Sequence, residues 1–68
     1  MSFEVKKKMV IYEKTEDPKV NIPLRAITVH SSFEGINERG EHDIYKFRQL
    51  AKSLEPDAKE ITITVMDL

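Results

Sequence analysis

The stretch Asp43-Ile44-Tyr45-Lys46-Phe47-Arg48-Gln49-Leu50-Ala51-Lys52-Ser53-Leu54-Glu55-Pro56 decides the fold. Ile44, Phe47, Leu50, Ala51 and Leu54 recur at helical spacing and fall on an arc of about 120°. Tyr45, Lys46, Arg48, Gln49, Lys52 and Ser53 take the other side. The spacing predicts a helix from Asp43 to Glu55 with one face for a core. Asp43 is a better N-cap than His42, because its carboxylate accepts from the free N–H groups of the first turn. Glu41 and Asp43 at the start and Lys52 near the end complement the helix dipole. Pro56 restricts Glu55 away from helical angles and stops the element.

On both sides of the helix the pattern changes to period 2, the mark of strands. After it, Lys59 to Leu68 reads as a strand with Ile61, Ile63 and Val65 on one face. Thr62, Thr64 and Met66 take the other, with Leu68 at its end. Near the N-terminus, Phe3, Val5, Met9 and Ile11 share one parity, with Lys7 as the exception. Glu4, Lys6, Lys8, Val10 and Tyr12 share the other. Val20 to Ser31 is rich in β-branched residues and reads as the second strand. Pro23 interrupts it and belongs at an edge or a bulge. An extra residue at Pro23 puts Val20, Ile22, Ile27 and Val29 on one face. Without it, Ile27 and Val29 point away from Val20 and Ile22. Both arrangements stay open.

The expected fold is α+β in the order β-β-α-β, one small domain over residues 1–68. The three strands form a mainly antiparallel sheet of order 2-1-3, with one helix packed on one face. The alternative places the third strand parallel beside the second. Between strand two and the helix, 32–41 is the longest irregular stretch. Its Gly35 and Gly40 both suit positive φ, and Phe33 and Ile36 are placed to pin it down.

Composition narrows the function. Without cysteine there is no disulfide, zinc ribbon or thiol chemistry. Eleven basic residues against twelve acidic ones leave a net charge of -1, which argues against strong non-specific DNA binding. No apolar run approaches the roughly 20 residues of a membrane span. The charged start of the chain is unlike a signal peptide, so a cytoplasmic location is expected. At 68 residues the core is small, and oligomerisation is a common remedy.

The helix-free face of the sheet is the first candidate site. Val10, Tyr12, Thr62, Thr64 and Met66 lie on it and form an expected protein interface, with a homodimer as the expected assembly. Loop residues Glu34, Glu38 and Glu41 form a second candidate, an acidic surface for a protein partner. Arg39, Tyr45, Arg48 and Lys52 make a third, a nucleic-acid surface in which cations meet phosphates and the aromatic ring stacks on a base. Lys6-Lys7-Lys8 does not make one patch, because Lys7 points opposite to its neighbours; it reads as the protection of an edge strand.

His30, His42, Asp43, Glu34 and Glu41 carry groups that bind metals or move protons, but no metal-binding or nucleophile–base spacing is present. No catalytic residue, cofactor or metal is therefore expected. The reading is a small non-catalytic interaction or regulatory module that self-associates through the helix-free face. The alternatives are a nucleic-acid-binding regulator and a small oligomeric enzyme with its site between subunits.

Overall fold

In a computed structural model, which describes residues 6–68, the chain runs β1 (Lys7–Lys14), β2 (Asn21–Val29), α1 (Ile44–Leu54) and β3 (Ile61–Asp67). The strands form one antiparallel sheet of order β2-β1-β3. This is the expected α+β topology, and the parallel alternative is excluded. Phe3 and Val5, assigned to the core parity of strand one, lie outside the described residues.

Alternation along β1 sets the two faces. Met9 and Ile11 are fully buried beneath the helix, with Val29, Ile36, Phe47, Ala51 and Ile61 completing the core. Leu24, Ile27, Phe33, Leu50, Leu54, Ala58, Ile63 and Val65 pack around it half-buried. Of the expected helix stripe, Phe47 and Ala51 reach the centre, whereas Ile44 is half-exposed in the first turn. Asp43 is the N-cap, and its Oδ1 accepts from the Tyr45 N–H at 3.0 Å. Glu55 ends the helix, its own N–H donating to the Ala51 carbonyl.

The open question at Pro23 resolves as a bulge. Ile11 stands opposite Arg25 and Tyr12 opposite Pro23, so Leu24 is the extra residue. The inserted residue brings Ile22, Ile27 and Val29 onto the helix side, as an added residue requires. Val20 does not join them. It lies before β2, in the turn, where its N–H donates to the Asp17 carbonyl. Ile22, at the hairpin end and outside the core, stays half-exposed.

Lys6-Lys7-Lys8 calls for a correction. β1 is the central strand, so these lysines protect no edge. Lys7 occupies the core-face position its parity dictates and is only 4% exposed. Its Nζ donates to Asp67 Oδ1 on the neighbouring strand.

The 30–43 connection is ordered by its own hydrogen bonds. Asn37 Oδ1 accepts from the N–H groups of Arg39 and Glu41, both at 2.9 Å. Ile36 and His42 pair as an isolated antiparallel bridge. Gly40 has φ 79°, which suits glycine. Gly35 does not have the expected positive φ. A side chain there would instead overlap the Phe33 ring, which sits edge-on to Phe47 at 5.1 Å.

Candidate functional site

The helix-free face consists of four cross-strand rows fixed by the register. Thr28, Lys8 and Met66 form the first, and Ala26, Val10 and Thr64 the second. Pro23, Tyr12 and Thr62 form the third. Asn21, Lys14 and Glu60 close the hairpin end, where the Lys14 N–H donates to the Glu60 carbonyl. The two middle rows hold no charged residue. Ala26, Thr64 and Pro23 are exposed there, with Val10, Tyr12 and Thr62 half-buried between them, and Met66 is exposed in the first row. All five expected interface residues therefore share one surface. Charge is confined to its ends: Lys8 at one, and the Lys14–Glu60 pair (3.8 Å) at the other.

The expected nucleic-acid residues are only partly brought together. Tyr45, Arg48 and Lys52 line one side of α1 with Gln49, around a concavity of about 500 Å³. Arg39 is at the tip of the 37–41 turn and does not line this concavity. Arg48 and Lys52 also line a second concavity of about 310 Å³ with Lys59, Glu60 and Ile61 at the start of β3.

The acidic loop is less uniform than its composition implies. Glu41 accepts from Asn37 Nδ2 at 3.1 Å and helps to build the turn. Glu34 and Glu38 are exposed. The histidines and Asp43 do not converge on a metal. Asp43 caps the helix, His30 Nδ1 accepts from the Ser32 N–H, and His42 stands edge-on to Phe47 at 5.8 Å. Among the described residues, no three His, Asp or Glu side chains are grouped to hold a metal ion. No helix among them is long and apolar enough to cross a membrane.

Two features escape a reading of local pattern. One is the Lys7–Asp67 pair. The Lys7 hydrogen bond, and then its charge, lower the Asp67 carboxyl below its ordinary range; desolvation opposes this, and His42 adds a pull in the same direction. The residues are 60 positions apart. Only the sheet register reveals them as neighbours, although a lysine on a core parity is a signal that a counter-charge is needed. The other is the open edge of β3, which depends on strand order. Comparison of the chain with family models, curated proteins and solved structures finds no match.

Proposed function

We propose that this protein is a small non-catalytic interaction module that self-associates through the helix-free face of its sheet. The observation that carries this is the uncharged middle of that face: Ala26, Val10 and Thr64 beside Pro23, Tyr12 and Thr62. A solvated sheet face is ordinarily polar, whereas Ala26, Val10 and Pro23 are apolar and the other three carry only a hydroxyl. One helix shelters one side of the sheet, and the same side chains on a second copy offer the other side a matching cover.

The size of the face sets the strength of the contact. Three strands about 4.8 Å apart and about seven residues long present roughly 14 by 24 Å. This is below the roughly 800 Å² per partner of a standard interface, so self-association belongs in the micromolar range or weaker. Sedimentation equilibrium from about 10 μM to about 1 mM covers that range. The expected result is a rise from monomer to dimer mass that disappears in Val10→Glu, because the new carboxylate is desolvated in the contact. A wild-type protein that stays strictly monomeric to the top of the range overturns the proposal.

A further inference from the structure

β1 is paired on both sides, which leaves β2 and β3 as the two edges of the sheet. They are not equivalent. In an antiparallel pair, successive residues turn their backbone groups alternately toward and away from the partner. The Lys14 N–H donates to Glu60 at 2.9 Å and the Leu68 N–H to Lys6 at 3.3 Å. The register between these bonds matches Tyr12 with Thr62, Val10 with Thr64 and Lys8 with Met66. The even-numbered residues of β3 therefore face β1. The N–H and C=O groups of Ile61, Ile63 and Val65 face outward, and among the described residues nothing hydrogen-bonds them.

The same alternation turns Thr28, Ala26 and Pro23 to the open side of β2. There Pro23 lacks an N–H, and the bulge at Leu24 breaks the spacing. Those two devices block strand addition. β3 has neither: Ile61–Asp67 holds no proline, glycine or bulge, and its one charge, Asp67 at the far end, is paired with Lys7.

Beside this edge stands the basic flank of α1. Arg48, Lys52 and Lys59 line the 310 Å³ concavity together with Ile61. Glu55 and Glu60 also line it, but their charges are matched within the fold. Glu55 accepts from Arg25 Nε at 2.8 Å, and Glu60 pairs with Lys14. Among the described residues, Arg48, Lys52 and Lys59 have no ion pair.

We infer that the open edge of β3 receives an extended acidic segment of a partner protein, which adds to the sheet as a fourth strand. Its backbone pairs with Ile61, Ile63 and Val65. Alternate side chains fall on the helix side, where carboxylates meet Arg48 and Lys52; the others extend the uncharged outer face beyond Thr62 and Thr64. This is strand addition with charge supplying the selectivity. A second copy of β3 is the wrong occupant. A twofold axis at this edge sets the Tyr45–Arg48–Lys52 flank against its own duplicate, cation to cation. The inference is independent of the self-association proposed above, which uses a face and leaves the edge open.

The test is amide hydrogen exchange, read residue by residue by NMR, with a soluble peptide of alternating Glu and Val at up to about 1 mM. The expected result is at least tenfold slower exchange at Ile61, Ile63 and Val65. The Lys–Val counterpart and an N-methylated Glu–Val peptide should give no protection. Arg48→Glu combined with Lys52→Glu, both exposed substitutions, should weaken the Glu–Val complex at least tenfold. Absence of protection by the Glu–Val peptide overturns the inference, as does equal protection by the Lys–Val peptide. Protection that rises with protein concentration alone assigns the edge to a second copy and also overturns it. So does binding of an oligouridylate at Arg48 and Lys52 with the three amides still unprotected, which assigns the cations to phosphate.

Discussion

Lys7 is a cation inside an apolar face, and its position is stable because Asp67 stands opposite it in the register. Removing the counter-charge leaves a desolvated ammonium, whereas removing the ammonium leaves a carboxylate that water reaches. The two substitutions should therefore act unequally. Asp67→Asn is expected to destabilise the fold at neutral pH, and Lys7→Met to be neutral or stabilising. The acid limb follows from the same pair. The Asp67 carboxyl is lowered from 3.8 in the folded chain. Below that ordinary value the unfolded chain binds the proton first, so stability rises with pH in this window. The contribution is complete above about pH 5, and is lost as pH falls through the lowered folded value. Thermal melts between about pH 2 and pH 6 should show a shallower acid limb in both variants than in the wild type. Unchanged limbs would remove Asp67 from the acid response.

At the scale of the elements, the helix is the most legible part of the sequence. Its spacing, its Asp43 cap and the stop before Pro56 are all local signals, and each is where the sequence puts it. The cap is separable from packing because Asp43 is exposed. Asp43→Ala should cost about 1 kcal/mol by denaturant titration, and Asp43→Ser much less, because a hydroxyl also accepts from the first turn. The strands were legible in their faces but not in every register. Pro23 announces either an edge or a bulge. In the structure it is at both, on the open side of β2 and beside the extra residue Leu24. Choosing between the two faces for Ile27 and Val29 required the partner strand, because a shift of one residue reverses every side chain. The candidate surface was legible for the same reason as the faces: Val10, Tyr12, Thr62, Thr64 and Met66 share a parity, and the sheet order places them side by side. Arg39 could not be placed from sequence, because its position depends on the hydrogen bonds that Asn37 makes within the turn. The open edge of β3 has no local signature, since it follows from which strand lies in the middle.

For the whole molecule, the small core couples folding to the proposed self-association. Only seven hydrophobic residues are buried among those described, and Phe47 is the largest of the fully buried ones. A chain of this length has a total stability of roughly 3–10 kcal/mol. Phe47→Ala should cost about 3–5 kcal/mol through lost burial and a residual cavity, which takes the monomer close to unfolding. Phe47 packs on the helix side, so this variant leaves the proposed self-association face intact. Binding that involves only the folded state raises its population by mass action. The Phe47→Ala chain should thus lose helical circular dichroism on dilution and regain it as concentration rises. Adding Val10→Glu should abolish that recovery, because the contact that draws the chain back to the folded state is removed. If the single and double variants recover equally with concentration, stability does not pass through the outer face, and the link between the thin core and self-association fails.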